Sequence, residues 1–344
     1  MIIFRTDAND EIATGHIMRC ITVAKEIKNK GVGVLFAVSD KLSGKLAEKE
    51  GFEVVCLETD WRHLDYNRES DILCRYGKNL IIDTYSATSE YIENMSKYFR
   101  ITAFDDMFEI FYNVDILINY NIYYEKFDYL NRYKGRDTEL LLGTEYVPIR
   151  KQFIEKTFQR DPVLKDKNIS IMLICGGGDI LNTMGQIVEY ISGKNINFFT
   201  KLKWNIVLGS YNKYRDKILE ISKRYCNITI YENITDIENV MENSDICISA
   251  ASTVLYESCV MKLPTIFFCV AENQKYDAEY FEKKGMIYAG DFRGGSEVVC
   301  TKIYNAIKKL ISDKHIYSDM IDKMTQITDG KGAERIADKI LTTI

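Results

Sequence analysis

Short apolar runs and amphipathic stretches alternate along the first half of the chain. MIIFRTD reads as a strand and HIMRCITVAKEIKNKG as a helix, in which Ile17, Ile21, Ala24 and Ile27 recur at helical spacing and Gly31 fits the C-terminal end. GVLFAVSD predicts the next strand, KLAEKEG a helix, FEVVCLE a strand, and NLIIDTYS a strand with a loop after Asp83. SEYIENMSKYF is helical, and ITAFDD and VDILINY are strands again. This βαβ rhythm predicts a parallel sheet with helices on both faces. The regularity lapses over NIYYEKFDYLNRYK, between Asn121 and Lys134, which is rich in tyrosine and charge and reads as an excursion over the surface. ELLLG then returns as a strand.

A charged stretch, IRKQFIEKTFQRDPVLKDKN, precedes a second copy of the rhythm. ISIMLICGGGD is a strand ending in glycines, and ILNTMGQIVEYI is a helix. WNIVLGS, NITIYE, DICISAAS and PTIFFCV are four further strands, and the tail from Ser296 is mostly helical. The expected fold class is α/β, with two Rossmann-like doubly wound domains facing a cleft. The boundary is placed near Arg160, giving an N-terminal domain of residues 1–160 and a C-terminal domain of residues 161–344, whose terminal helices can pack back on the first.

Composition narrows the class. The 344 residues are 46% hydrophobic and 28% charged, as in ordinary globular proteins. A net charge of −5 with dispersed Lys and Arg argues against a nucleic-acid groove and leaves room for a local phosphate pocket. The 9 Cys show no CxxC pair and no metal-ligand spacing, and several sit in apolar runs, which points to buried reduced thiols of a cytosolic protein. The N-terminus lacks signal-peptide character, and no stretch approaches membrane-spanning length. Localisation is therefore expected to be cytoplasmic. With 3 His in the chain, a histidine-rich metal site is not expected.

In open parallel sheets ligands bind where loops leave the carboxyl ends of strands, so those loops hold the candidate chemistry. After the first strand come Thr6-Asp7 and then Ala13-Thr14-Gly15-His16. Gly15 suits a tight turn, Thr14 suits an N-cap, and His16 falls in the first helical turn. A neutral imidazole there is a suitable proton acceptor; position alone supports a capping or surface-paired histidine equally. In the second half, Gly176-Gly177-Gly178-Asp179 joins strand to helix and permits a phosphate to approach backbone N–H groups. It is neither G-x-G-x-x-G nor a P-loop. Ser249-Ala250-Ala251-Ser252-Thr253 forms a small-residue turn before a helix, with Glu257 one turn further in. Glu257 can accept hydrogen bonds from ribose hydroxyls, although generic patterning favours a plain turn with Glu257 facing solvent. Lesser candidates are Asp83 and Tyr85, Asp105-Asp106, and Asn273-Gln274. Adjacent carboxylates such as Asp105-Asp106 usually mark a turn or N-cap.

Taken together the segments are more specific than any one of them. Arg5-Thr6-Asp7 followed by ATGHIMRC, with Gly15, His16 and Arg19, resembles the R-x-D…G-x-G-H-x-x-R signature of the UDP-2,4-diacetamido-2,4,6-trideoxy-β-L-altropyranose hydrolases of pseudaminic acid biosynthesis and of related spore-coat polysaccharide proteins. The likeness continues in order through IIDTY, FDD, DILINYN, GTEYVPIR, CGGGD, SAASTVLYE, ENQ and DGKGAERI. It implies a glycosyltransferase-B-like fold. It also implies UDP held by Gly177, Gly178, Asp179, Ser252, Thr253 and Glu257, and sugar contacts from Asp7, Gly15, Arg19, Tyr85, Asn273 and Gln274. His16 is implied to be the general base that activates water for inverting cleavage of the anomeric C–O bond, with no metal and no redox cofactor. Ala13 stands where that signature has its first glycine, and the chain looks longer than the compact hydrolases.

The expected partner is a UDP-sugar, without nucleic acid or stable membrane insertion. A glycosyltransferase using the same fold is the runner-up and would need an acceptor groove. A nucleotide-sugar binding protein would have no use for His16, and a dinucleotide-dependent oxidoreductase lacks its fingerprint.

Overall fold

The computed structural model describes residues 1–9, 11–12, 14–156, 160, 168–209 and 211–343. The chain divides into two compact units, Met1–Arg150 with Gly330–Ile344 and Lys151–Asp329. The division thus falls at Arg150/Lys151 rather than near Arg160, whose guanidinium reaches the carbonyls of Met241, Ser244 and Met261 inside the second unit.

The first unit contains β1 (Ile2–Thr6), β2 (Val34–Val38), β3 (Glu53–Cys56), β4 (Asn79–Asp83), β5 (Arg100–Phe104), β6 (Ile116–Asn119) and β7 (Glu139–Leu142). They form one parallel sheet in the order β3-β2-β1-β4-β5-β6-β7. β1, β2 and β6 are buried along their whole length, which is why they read as apolar runs rather than alternating patterns. Strand order reverses at the β1/β4 pair, where Thr6 lies beside Asp83. Loops leaving those two strands diverge to opposite sides and open a crevice at their carboxyl ends. Helix α1 (Gly15–Asn29) follows β1 and buries Ile17, Ile21, Val23, Ala24 and Ile27. Gly31 ends it at φ +83, a conformation open to glycine.

The tyrosine-rich segment does not run over the surface. Tyr123, Tyr129 and Tyr133 are buried, and Tyr129 and Tyr133 join the core that covers one face of the sheet. Their hydroxyls find partners inside: Tyr129 donates to Asp105 at 2.8 Å, and Tyr133 accepts from the Tyr112 amide at 3.1 Å. A tyrosine satisfied in this way packs as a large apolar side chain. The last helix, Gly332–Thr343, belongs to this unit. Its first residue lies so close to the Tyr146–Val147 backbone that a Cβ would sit 2.2 Å from the Val147 carbonyl oxygen, so only glycine fits.

The second unit contains β8 (Ser170–Ile174), β9 (Lys203–Leu208), β10 (Ile228–Glu232), β11 (Ile246–Ala250), β12 (Thr265–Cys269) and β13 (Ile287–Asp291). Their order is β10-β9-β8-β11-β12-β13, again all parallel. Here the order reverses at β8/β11, so the glycine loop and the Ser252-Thr253 loop leave neighbouring strands at a second crevice. β13 and the helix Tyr66–Leu73 lie in stretches whose pattern singles out neither. Of the nine cysteines, none paired, six are buried, Cys175, Cys247 and Cys269 of the apolar runs among them, while Cys56 and Cys74 are half-buried and Cys226 is exposed.

Candidate functional site

His16 sits in the first turn of α1 and is 9% exposed. Its Nδ1 lies 2.6 Å from Asp83 Oδ1, at the end of β4. An ionised carboxylate can only accept, so Nδ1 carries a proton and donates it, and in the neutral ring the lone pair then lies on Nε2. Arg19 Nη2 also lies 3.2 Å from Nδ1, but there two donors face each other and the bond to Asp83 sets the tautomer. The edge of the His16 ring meets the Tyr85 ring, with centroids 4.5 Å apart.

Arg19, one turn further along α1, holds this pair in place. Its Nε and Nη2 donate to the two oxygens of Asp83 at 2.6 and 2.5 Å. Nη1 and Nη2 donate to the two oxygens of Asp106 at 2.9 and 3.0 Å, and Nη1 also reaches the Tyr120 hydroxyl at 2.9 Å. The guanidinium lies over the Phe104 ring, 4.8 Å from its centroid. Tyr85 donates its hydroxyl to Asp106 at 3.0 Å, and Asn121 donates to the same carboxylate at 2.9 Å. Burial opposes ionisation of Asp83, but the Arg19 guanidinium and His16 outweigh it and hold the carboxyl well below its usual range. Asp106 is lowered in the same way, burial being overcome chiefly by Arg19. One guanidinium between two carboxylates leaves the cluster with a net negative charge while His16 is neutral. A negative cluster of this kind can stabilise a positive charge that forms beside it.

Other expected residues are placed differently. Gly15 has no positive φ, and a Cβ there would meet nothing within 4 Å, so its value is open space beside the helix start rather than a tight turn. Thr14 occupies the N-cap position without a side-chain cap bond, and Ala13 lies outside the described residues. Asp7 is buried and fully committed: one oxygen binds Arg5 at 2.5 Å and Ser39 Oγ at 3.0 Å, and the other accepts from the Ser39 amide at 2.6 Å. Arg19 likewise spends its donors on side chains. Asp7 and Arg19 thus act through the side chains they hold in place.

In the second unit Gly176 takes φ +62. A Cβ on Gly209, after β9, would stand 2.5 Å from the carbonyl oxygens of Gly176 and Gly177, so glycine there lets the two loops touch. The Tyr211 amide then donates to the Gly177 carbonyl at 3.0 Å. Nothing in the packing requires glycine at 177 or 178, which are half-buried with Tyr211 at ordinary contact distance. Asp179 is spent as a helix cap, accepting from the Thr183 amide and hydroxyl at 2.7 Å each and from the Met184 amide at 3.0 Å. Thr253 and Ser252 precede the helix Val254–Val260; Ser252 Oγ donates to the Ala250 carbonyl at 3.3 Å, and Thr253 makes no cap bond. Glu257 is buried within that helix, not solvent-facing. Gln274 folds its side-chain carbonyl onto the Val270 and Ala271 amides at 2.7 and 3.2 Å, while Asn273 beside it is exposed.

Sequence patterning ranked Asp83 and Asp106 low and passed over Tyr120 and Asn121. The usable signal was position: each stands at or just past the carboxyl end of a strand. Asp105 alone serves the turn, accepting from the Met107 and Phe108 amides at 3.1 and 2.9 Å. Among the described residues no group of three His, Cys, Asp or Glu is arranged to hold a metal ion, and no helix is long and apolar enough to cross a membrane.

The chain is similar to UDP-2,4-diacetamido-2,4,6-trideoxy-β-L-altropyranose hydrolase of Campylobacter jejuni, with 25% identity over 83% of this chain and 97% of that protein. Among solved structures it resembles Acinetobacter baumannii MurG (TM-score 0.65, 12% identity, 99% of each chain). It also resembles the UDP complex of Staphylococcus aureus MnaA (TM-score 0.64, 13% identity, 100% of this chain and 96% of that one). These likenesses show the glycosyltransferase-B type of fold, two Rossmann-like units each built on a parallel sheet. Residues 151–339, more than half of the sequence, match the glycosyltransferase family 28 C-terminal domain. The chain belongs to the glycosyltransferase family 28 C-terminal domain family.

Proposed function

We propose that this protein is a UDP-sugar hydrolase acting in pseudaminic acid biosynthesis, with His16 as general base. The observation that carries the reading is the 2.6 Å bond from His16 Nδ1 to Asp83, which leaves Nε2 as a proton acceptor beside an anionic cluster. Water is deprotonated by Nε2 as its oxygen attacks the anomeric carbon. The bond from that carbon to the β-phosphate oxygen breaks, the configuration inverts, and UDP leaves with the electron pair. UDP is already a good leaving group, so positioning and charge stabilisation suffice.

The nucleotide is assigned to the second unit. The half-buried glycine loop at Gly177 and Gly178 and the Ser252-Thr253 turn, which follow neighbouring strands, suit a diphosphate, and buried Glu257 suits the ribose. Asn273 and the ring of Tyr85, 60% exposed beside His16, are assigned to the sugar. The similarity to the Campylobacter hydrolase supports the reaction. The family 28 match favours a second reading, transfer of the sugar to a hydroxyl acceptor with the same base. NMR product analysis with a panel of UDP-sugars separates the two. Free inverted sugar and UDP in plain buffer support hydrolysis, whereas turnover that needs an added acceptor overturns it.

A further inference from the structure

Phe108 lies in the loop that leaves β5, two residues after Asp106, and its backbone takes φ +59. Bulky residues avoid this left-handed region unless their surroundings enforce it, and such positions gather at functional sites. Here the enforcement comes from the tyrosine-rich segment. Arg132 Nη1 donates to the carbonyls of Phe108 and Ile110 at 2.8 and 3.1 Å. The same guanidinium lies over the Phe108 ring, 3.3 Å from its centroid, and the Tyr129 ring meets Phe108 edge-on at 4.7 Å.

A second route runs from the same segment to the same carboxylate. Tyr129 donates to Asp105 at 2.8 Å and accepts from Asn119 at 2.8 Å. The side-chain oxygen of Asn119 accepts from Asn121 at 3.0 Å, and Asn121 donates to Asp106 at 2.9 Å. Asp106 is therefore held on its chain side by a left-handed turn and on its side-chain side by a buried relay. Its remaining bonds go to Arg19 and Tyr85, and Arg19 carries the effect to Asp83 and His16.

We propose that Arg132 is a positioning residue for the reaction at His16: it clamps the Phe108 turn and thereby sets Asp106 against Arg19. The proposal rests on His16 being the proton acceptor, but its test does not depend on turnover alone. Lysine keeps the charge of Arg132 but loses the flat guanidinium that lies over the Phe108 ring, so R132K should behave like R132A. Glycine takes positive φ unaided, so F108G removes the need for the clamp.

The experiment compares wild type, R132A, R132K and F108G/R132A in the full chain. Three readouts are used: steady-state kinetics on the UDP-sugar, UDP affinity by calorimetry, and the ring ¹⁵N resonances of His16, assigned against His16→Asn. Both single Arg132 variants should lose about 10- to 100-fold in kcat, the scale of a small misplacement at a reacting centre. KM and UDP affinity should stay unchanged and the His16 resonances should move, and F108G/R132A should restore both kcat and the resonances. Unmoved resonances in the Arg132 variants overturn the proposal, as does a loss that glycine at 108 does not restore. Absence of turnover in wild type overturns the hydrolase reading instead, and the resonances still decide the clamp.

Discussion

The first unit buries two ion clusters built on the same set of charges, one arginine between two carboxylates, and only one of them holds a histidine. In the first, Arg5 bridges Asp7 at 2.5 Å and Glu69 at 2.8 Å, with Ser39 beside the arginine and the Tyr91 hydroxyl donating to Glu69 at 2.7 Å. In the second, Arg19 bridges Asp83 and Asp106, with the hydroxyls of Tyr120 and Tyr85 around it. Each has one guanidinium, two carboxylates and tyrosine. The Arg5 cluster is closed: the side chains of Arg5, Asp7 and Glu69 have no exposed surface at all. It ties β1 to the helix Tyr66–Leu73 and holds the start of the loop that leads to α1. The Arg19 cluster carries in addition a histidine, whose Nδ1 is bound inward to Asp83. Charge composition thus distinguishes the two poorly; what sets the second apart is the histidine at its edge.

That contrast can be broken in several ways. Asp83→Asn keeps the shape but removes the carboxylate charge that fixes His16 Nδ1 as the donor, so kcat should fall by about 10²- to 10⁴-fold, the range typical of a mispositioned general base. An effect below tenfold in stopped assays would detach Asp83 from catalysis. Arg5→Met strands two carboxylates in the sealed cluster and should lower stability by about 3–5 kcal/mol in urea unfolding, with little change in kcat of the folded enzyme. Lost turnover at full stability would mean that the closed cluster is functional after all. Glu257→Ala should weaken UDP binding by about tenfold, or roughly 1.4 kcal/mol, in calorimetry, leaving the His16 pair untouched; unchanged affinity would reject the ribose role. The smallest effect is that of mild acid. Asp83 and Asp106 have folded-state values below their unfolded ones, so their contribution is complete above the ordinary carboxylate range near about 4 and is lost as pH falls below it. Stability should be nearly flat from about pH 7 to 5 and should decline below that. A decline that D83N does not reduce would place the acid-sensitive groups elsewhere.

Much of the fold was legible in the chain because doubly covered parallel strands are apolar throughout, and those runs are unmistakable in ISIMLIC or NLIID. β13 and the helix Tyr66–Leu73 were not, since both are only partly buried and carry polar residues at the surface. The tyrosine-rich segment misled for a related reason: a tyrosine counts as polar in a pattern but packs as core once Asp105, Asn119 or the Tyr112 amide takes its hydroxyl. His16 was visible from its place after β1. Its partners were not, because Asp83 and Asp106 come from distant strands and meet Arg19 only when the sheet forms. Asp7 and Arg19 were read as reaching the substrate, yet buried charges must be paired, and their pairing consumes them.

The most direct test follows turnover of UDP-2,4-diacetamido-2,4,6-trideoxy-β-L-altropyranose by ¹H and ³¹P NMR, comparing wild type with His16→Asn in buffer containing a chelator. Wild type should release UDP and the free sugar with inverted anomeric configuration. His16→Asn should bind UDP as tightly and release neither at more than a trace of that rate. Equal rates in the two proteins, or no release by wild type, would contradict the assignment of His16 as the base of a UDP-sugar hydrolase.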